Sequence, residues 1–238
     1  MEFYQSINPF YDFIFPLNNK QVDFTCEEVL SGKILDMGCA TGSLAIALAE
    51  KGFEVTAIDL DQGMIDQAKR KDPLNKIHFR EGDMLKILEY FPVTSFNGIT
   101  CYGNTLAHLT EPKHIGSFFV SAFQLLQKEG KILIQVLNYE SLLKTKPEKL
   151  PLIENETIRF ERSYNYRPDG LINFVTRLTV KETNQVIENS VTLYPVTRYE
   201  IADLLEKSGF TAVEFFGGFD RSPVLPSNLP LVVRALKR

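Results

Sequence analysis

Two aspartates and two glycines in the first quarter of the chain have the types and spacing that bind a nucleoside. Gly38 and Gly42 follow a short apolar strand pattern that contains Asp36, and Asp59 ends a second strand pattern 21 residues after Gly38. Glycines let the backbone turn sharply and approach a ligand closely, and an acid at the second strand end can hydrogen-bond ribose hydroxyls. The stretch therefore predicts a nucleotide-binding βαβ unit.

Departures from the dinucleotide fingerprint indicate which ligand this unit binds. A fingerprint counted from Gly38 requires glycines at two positions that are Ala40 and Ser43 here. Asp36 places a carboxylate at the mouth of the loop, where it repels a pyrophosphate and attracts an ammonium or sulfonium group. A cationic nucleoside fits better, and the alternative is a glycine turn in an α/β protein that binds no ligand.

Size, charge and cysteine content exclude several classes of protein. The 238 residues suit one domain with an insertion, and a net charge of −4 without a long Lys/Arg block argues against a nucleic-acid partner. Cys26, Cys39 and Cys101 form neither a disulfide framework nor a close-spaced metal pattern, so we expect reduced cysteines and no metal. The N-terminus lacks the pattern of a secretory signal and no apolar run is long enough to span a bilayer, so we expect a cytoplasmic protein without membrane contact.

Strand and helix patterns alternate through the first 137 residues. This alternation predicts a parallel sheet covered on both faces, with ligands at the carboxyl ends of the strands. The predicted strands are residues 33–37, 54–58, 77–81, 96–101 and 131–137. The predicted helices are residues 21–30, 43–51, 62–71, 85–90 and 112–128, the last one closed by a left-handed cap at Gly130.

The apolar period changes to two between residues 154 and 194. Three alternating runs, the first two joined by the turn Arg167-Pro168-Asp169-Gly170, predict an inserted antiparallel sheet. A capping box at Thr197 and Glu200 then begins a helix, and two strands complete the chain. The expected division is a core of residues 1–140 and 195–238 with an insertion of residues 141–194.

The run ILDMGCATG, residues 34–42, resembles the first motif of the class I S-adenosylmethionine-dependent methyltransferases, with Ala40 in the place of a glycine. The resemblance extends over about residues 10–137 and 196–238. It implies a Rossmann-like, mostly parallel seven-stranded sheet of order 3-2-1-4-5-7-6 with helices on both faces and the inserted antiparallel sheet. It also implies S-adenosyl-L-methionine as the cofactor.

Later motifs extend the resemblance to further cofactor-binding residues. Asp59 to Met64 resembles the motif whose acid binds the ribose hydroxyls, and Asp83 with Met84 resembles the adenine-reading motif. A helix N-cap is the alternative role, which suits Asp61 better than Asp59 and remains open for Asp83. The cofactor-binding residues implied are Tyr11, Asp36, Gly38, Cys39, Ala40, Gly42, Asp59, Leu60, Met64, Asp83, Met84 and Tyr102.

Two segments are expected to enclose the reacting groups. In the family, the loop that matches residues 102–108 forms the floor of the acceptor site, so Tyr102, Asn104 and His108 are the candidate catalytic residues. A partly buried structural histidine is the alternative for His108. The aromatic N-terminal segment resembles one that folds over the cofactor, with Tyr11 covering its methionine end, and the alternative is an aromatic cluster on the sheet.

The resemblance implies in-line methyl transfer to a small-molecule nitrogen or oxygen acceptor, as in glycine, sarcosine and amino-sugar N-methyltransferases. In the family the insertion roofs the acceptor site and often mediates dimer contacts, so a homodimer through it is an option. Side chains of the roof that could hold a polar or anionic acceptor are Arg159, Arg162, Tyr164, Tyr166, Arg177, Tyr194 and Arg198. The alternatives are a nicotinamide-dependent oxidoreductase and a non-catalytic S-adenosylmethionine-binding protein.

Overall fold

A computed structural model describes residues 2–238 of the chain, with side chains from Tyr4 onward. The helices are α1 Glu2–Ile7, α2 Tyr11–Ile14, α3 Asn19–Val29, α4 Ser43–Glu50, α5 Gln62–Lys71, α6 Ile87–Tyr90, α7 Pro112–Leu125, α8 Tyr139–Thr145 and α9 Arg198–Lys207. The strands are β1 Lys33–Met37, β2 Glu54–Asp59, β3 His78–Glu81, β4 Phe96–Cys101, β5 Leu126–Leu137, β6 Ile153–Glu154, β7 Ile158–Tyr166, β8 Ile172–Val180, β9 Gln185–Leu193, β10 Thr211–Phe216 and β11 Pro230–Leu236. Short 3₁₀ turns cover Asn8–Phe10, Met84–Lys86 and Thr105–His108. In the described part of the chain, no helix has the length and apolar character needed to cross a membrane.

The larger sheet has seven strands in the order β3-β2-β1-β4-β5-β11-β10. Neighbouring strands from β3 to β5 are parallel, and β11 and β10 add antiparallel at one edge. With β10 and β11 as the sixth and seventh core strands, the expected order 3-2-1-4-5-7-6 is confirmed. The order reverses between β1 and β4, and a crevice forms at such a point outside the carboxyl ends of the strands.

Alternate residues of each strand reach opposite faces of the sheet, so two apolar cores form. Ile34 of β1 packs in the core beneath α3 and α4, and its neighbour Leu35 packs in the core beneath α7 and α9. All large side chains at the centre of these layers are nearly inaccessible to solvent, for example Phe118 and Phe119 of α7. Because helices cover both faces of the sheet, the ends of its strands are held in fixed positions. These strand ends carry the site described below.

The inserted residues form a second sheet of four antiparallel strands, β6-β7-β8-β9. Three of these strands were predicted, and the short β6 is an addition to them. Phe160 and Leu178 of this sheet pack against Ile7 of α1 and Ile14 of α2 in a separate apolar cluster. The N-terminal helices, which the sequence patterns did not predict, therefore lie between the inserted sheet and the nucleotide-binding loops.

The end of α7 differs from the prediction. The helix was predicted to run to residue 128, but it ends at Leu125, and β5 begins at the next residue. The ammonium of Lys237 donates to the carbonyls of Phe123 (2.6 Å) and Leu126 (2.7 Å), and so satisfies acceptors that the helix end leaves free. The left-handed residue is Glu129 (φ 62°) and not Gly130.

Candidate active site

Two adjoining cavities lie at the carboxyl ends of β1, β2 and β4. The large cavity has a volume of about 430 Å³ and extends to the inserted sheet, and the small cavity has about 130 Å³ and lies beside β2 and β3. Residues that line both cavities are Tyr4, Tyr11, Gly38, Ala40, Gly103 and His108. The shared walls make the two cavities parts of one divided site.

The small cavity is acidic. Asp59, Asp61 and Asp83 line it, and no Lys or Arg stands among the described residues of its wall. The backbone N–H groups of Ala40 (2.8 Å) and Asp61 (3.0 Å) each donate to one oxygen of the Asp59 carboxylate. Burial raises the pKa of Asp59, although these hydrogen bonds oppose the rise. Each carboxylate oxygen has a second lone pair, so Asp59 can still accept hydrogen bonds from ligand hydroxyls.

Asp83 has both of the roles that were considered for it. The N–H of Leu85 donates to its carboxylate (2.9 Å), which is the geometry of a helix N-cap, and the same residue lines the small cavity. Met64 and Met84 line this cavity too, as does the half-exposed Leu60. Asp61 is the N-cap of α5, as predicted, and accepts from the N–H of Met64 (3.1 Å).

The glycine loop requires its glycines. Gly38 and Gly42 have φ angles of +68° and +78°, at which residues with a Cβ are strained. A Cβ on Gly38 would lie 2.4 Å from the side chain of Thr105, and one on Gly42 would lie 2.7 Å from Phe79. Ala40 also has a left-handed φ of +47°, which is a physical reason to find glycine at this position in the resembled motif.

A carboxylate lies beside the N-terminus of α4. The hydroxyls of Thr41 (2.5 Å) and Ser43 (3.2 Å) donate to Asp12 of α2, and the Lys71 ammonium donates to its other oxygen (2.6 Å). Burial alone would raise the pKa of Asp12, but these hydrogen bonds lower it. Sequence analysis missed Asp12, because its partners lie 29 or more residues away and no local pattern connects them.

Asp36 is an acid of the large cavity, in contrast to the three aspartates of the small cavity. It is buried on the wall of the large cavity, and the Thr100 hydroxyl donates to it (2.7 Å). Burial raises the pKa of Asp36 to about 6, with a smaller contribution from Asp59, while the Thr100 bond acts in the opposite direction. At neutral pH the carboxylate is largely ionised, and a nearby cation would favour this form further. Cys39 and Tyr11 line the same cavity.

The floor of the large cavity is the loop after β4, which is fastened to β5. The Gly103 N–H donates to the Gln135 side chain (2.9 Å), and the Leu137 N–H donates to the Asn104 side chain (3.1 Å). The Asn104 amide also donates to the Tyr139 hydroxyl (2.9 Å). Asn104 therefore reaches the cavity wall with a fixed side chain that retains one amide hydrogen and one lone pair.

Tyr102, the second candidate on this floor, uses its hydroxyl elsewhere. The hydroxyl is hydrogen-bonded to that of Thr25 on α3 (3.0 Å), and the ring packs edge-on against Phe219. Burial raises the pKa of Tyr102 well above its usual value. Its ring still lines the large cavity, so the geometry favours a wall residue over a proton acceptor.

His108 lies on the boundary between the two cavities. Its Nε2 atom is hydrogen-bonded to the Tyr4 hydroxyl (2.8 Å), and its Nδ1 atom is buried without a hydrogen-bond partner among the described residues. Burial lowers the pKa of His108 to about 4, so the imidazole is neutral at physiological pH. Nδ1 is therefore the ring atom whose hydrogen-bonding capacity the described residues leave unused.

The inserted sheet contributes two of the seven polar side chains considered for the roof, Arg162 and Tyr164, to the large cavity. Arg159 and Arg177 lie on its outer face and pair with glutamates. The Tyr166 hydroxyl is 3.4 Å from the Leu142 carbonyl, a long contact outside the cavity. Tyr194 and Arg198 bond to Glu200 and Glu140, respectively. The other five polar side chains therefore have their partners outside the cavity.

The lowered pKa of His108 predicts a pH-dependent stability. Between about pH 6.5 and pH 4 the unfolded chain binds a proton at this imidazole that the folded chain excludes, so acidification through this window destabilises the fold, by about 3 kcal/mol from this group alone. His108→Gln should lose less stability than the wild type over the same window in urea unfolding. His78→Gln, at an exposed position, is the control and should keep the wild-type slope. Equal slopes for all three proteins would contradict the burial of His108.

Comparison with known proteins agrees with this architecture. Residues 34–130 match the family model described as a methyltransferase domain. The glycine N-methyltransferase of Rattus norvegicus is 30% identical over 125 residues, which are 48% of this chain and 43% of that protein. The chain spans about half the length of the curated relatives it matches.

Two solved structures have the same fold over nearly their whole length. The CcbJ methyltransferase of Streptomyces caelestis superposes with a TM-score of 0.85 at 18% identity, over 98% of this chain and 96% of that one. CalS10 of Micromonospora echinaspora, an amino pentose methyltransferase with S-adenosylmethionine bound, gives a TM-score of 0.71 at 13% identity, over 98% and 97%. At such identities the likeness concerns the fold alone. The domain match and the fold agree with the class I S-adenosylmethionine-dependent methyltransferases, whose cofactor is S-adenosyl-L-methionine.

Proposed function

We propose that the chain transfers a methyl group from S-adenosyl-L-methionine to a nitrogen or oxygen atom of a small molecule. The observation that carries this proposal is the divided site. Its small cavity has three aspartates and no cation among the described wall residues, and it adjoins a larger cavity beneath the inserted sheet. Such a site suits an uncharged nucleoside in one part and a second small ligand in the other.

The described residues fit the cofactor part by part. Asp59 would accept the ribose hydroxyls, and Asp83 and Met84 would border the adenine. A Cβ on Gly103 would meet open space beside both cavities, so the backbone there leaves room for a ligand. Asp36 supplies negative charge on the wall of the large cavity, where the methionine end with its sulfonium would lie. When bound, the cofactor supplies a methyl group already activated by its attachment to sulfur.

The chain's own contribution would be alignment and the exclusion of water. Asn104 is held by Leu137 and Tyr139 and would orient the acceptor's attacking atom. His108 is neutral at physiological pH, and Nδ1 is its ring atom without a partner in the described chain, so Nδ1 would share a hydrogen bond with the acceptor, as donor or acceptor according to the tautomer. Its low pKa makes it a weak base, so a hydrogen-bonding role is favoured over a general base at neutral pH. Tyr102 would form part of the wall.

The nicotinamide alternative is disfavoured by the N-terminus of α4. In dinucleotide-binding folds a pyrophosphate binds at this helix end. Here Asp12, paired with Lys71, lies beside this end, and the acids of the small cavity would repel a pyrophosphate. The non-catalytic alternative is disfavoured by the large cavity, because cofactor storage alone does not require a second enclosed ligand site.

The acceptor is proposed to be a metabolite, as for the relatives named as glycine and amino pentose methyltransferases. The cavity volume of about 430 Å³ supports this size class. Dimerisation through the inserted sheet is also proposed, since β9 is an edge strand of that sheet. Point substitutions test the roof better than deletion of residues 154–194, because Tyr164, Ile172 and Leu193 belong to the main core.

Ligand-induced stabilisation and turnover test the proposed function together. S-Adenosylhomocysteine at 100 times its Kd should stabilise the protein by about 2.7 kcal/mol, whereas NAD and NADP should give no comparable shift. Methyl transfer from labelled S-adenosylmethionine to a panel of amines and alcohols identifies the acceptor. Stabilisation by NAD would favour the oxidoreductase, and a preference for RNA or protein over every metabolite would contradict the substrate class.

Asp59→Ala should weaken S-adenosylhomocysteine binding by about 1.5–3 kcal/mol, through loss of charge-assisted hydrogen bonds to ribose and of the bond to the Ala40 N–H. Isothermal titration calorimetry gives the affinity, and circular dichroism checks the fold. Asp66→Ala, an exposed acid on α5, is the matched control and should bind like the wild type. Unchanged affinity of Asp59→Ala would reject its assignment.

Gly38→Val should abolish cofactor binding, because its Cβ would overlap Thr105 and its φ is left-handed. Ala40→Gly should be tolerated and should stabilise the protein or leave it unchanged, because Ala40 has a φ of +47°. Calorimetry and thermal unfolding measure the two effects. Normal cofactor affinity in folded Gly38→Val would mean that the loop does not contact a nucleoside closely.

A further inference from the structure

The inner face of the inserted sheet is mostly apolar, apart from the exposed Gln185 at one end and a row of three paired residues across its middle. Paired residues on antiparallel strands share a face of the sheet. Arg162 of β7 pairs with Thr176 of β8, which pairs with Asn189 of β9. The apolar residues on either side of this row include Ile158, Phe160, Tyr164, Phe174, Leu178, Ile187 and Val191. A polar row across an apolar face requires an explanation.

Two members of this row have buried polar atoms without partners in the described chain. The Nε atom of Arg162 is one, and the hydroxyl of the almost fully buried Thr176 is the other. The Arg162 guanidinium donates to the carbonyl of Pro151 (2.7 Å), and none of the ion pairs of the described residues includes it. Asn189, by contrast, donates to the Ser6 hydroxyl (2.8 Å).

Arg162 is partly buried with its Nε atom fully buried, and burial lowers its pKa, so a guanidinium without a counter-ion is costly there. Arginines on the outer face of the same sheet do find carboxylates, since Arg159 pairs with Glu154 and Arg177 with Glu188. Acids therefore lie on the outer face of this sheet, whereas no described residue pairs as an acid with Arg162. A ligand that brings its own negative charge would remove this cost.

The position of Arg162 in the cavity indicates the chemistry of that ligand. Among the described residues that line the large cavity, Arg162 is the one Lys or Arg and Asp36 is the one Asp or Glu. The wall around Arg162 is otherwise apolar, with Leu150, Phe160, Tyr164 and Phe174. One guanidinium matches a single, planar, negatively charged group, whereas a phosphate with nearly two charges would need further donors or cations.

We infer that Arg162 binds a carboxylate of the methyl acceptor, so that the acceptor is an amino or hydroxy carboxylic acid with its attacking atom toward the loop of residues 102–108. This inference rests on the proposed function. The guanidinium would bind the carboxylate through two parallel hydrogen bonds, and the apolar wall would strengthen them by excluding water. Arg162 would thus determine which metabolites bind without taking part in methyl transfer.

Binding of matched acid and amide probes tests the inference. The full chain, saturated with S-adenosylhomocysteine, is titrated with glycine, 4-aminobenzoate and 4-hydroxybenzoate, and with glycinamide, 4-aminobenzamide and 4-hydroxybenzamide. At least one acid should bind about 10- to 100-fold more tightly than its amide. The inference is overturned if no acid binds the wild-type complex more tightly than its amide.

Three variants assign the preference to Arg162. Arg162→Met should lose the preference for the acid, and Arg162→Lys should keep it at lower affinity because the charge remains but the planar fork is lost. Arg177→Met, on the outer face beside Thr176, is the matched control and should behave like the wild type. Preference retained in Arg162→Met, or lost equally in Arg177→Met, would overturn the assignment.

Measurements of stability and of cofactor binding separate a role of Arg162 in acceptor binding from a role in the fold and from an effect on the cofactor. Arg162→Met should unfold at the same or a higher temperature than Arg177→Met, because it removes a partly buried charge that has no counter-ion among the described residues. A lower unfolding temperature together with a retained acid preference would mean that Arg162 serves the fold. All variants should bind S-adenosylhomocysteine like the wild type, so failure of the wild type to bind it would overturn the proposed function instead.

Discussion

The Asp59 carboxylate is the interaction on which the geometry of the site depends. It accepts the N–H of Ala40 from the glycine loop and that of Asp61 at the start of α5, so the ends of β1 and β2 are held together. This bond helps to keep Ala40 at a left-handed φ, and Gly38 then packs directly against Thr105 of the loop after β4. One carboxylate thus couples the loops of three adjacent strands.

The second requirement is the N-terminal segment, which closes the site from above. Tyr4 bonds to His108, Asp12 accepts from the hydroxyls of Thr41 and Ser43 beside the start of α4, and Ile7 and Ile14 pack on the inserted sheet. These contacts join three parts of the chain that are far apart in sequence. The large cavity exists because all three meet, so displacement of residues 4–18 would open both ligand sites to water at once.

How well the sequence predicted a feature depends on how far apart in the chain the residues that determine it lie. The βαβ unit and the caps at Asp61 and Thr197 follow from local patterns, and the strand order follows from the family resemblance; the structure agrees with all of them. The predicted end of α7 was wrong because Lys237, more than 110 residues away in sequence, binds carbonyls at the actual end. Asp12 was missed for the same reason. Strand alternation could have separated inward Arg162 from outward Arg159, but the absence of a counter-ion is a property of the folded chain.

The two charged residues described in the wall of the large cavity have opposite signs, so they would favour different parts of the two proposed ligands. Asp36 lies next to the glycine loop and favours a cation there, whereas Arg162 lies on the inserted sheet and favours an anion. A ligand with both charges would be oriented by this field, with its positive end toward Asp36 and its negative end toward Arg162. Because Asp36 has its pKa raised to about 6 by burial, its attraction for a cation weakens as the pH falls through that value. On the proposed function, acidification would therefore weaken the cofactor side of the site, while the guanidinium keeps its charge and its preference for an anion.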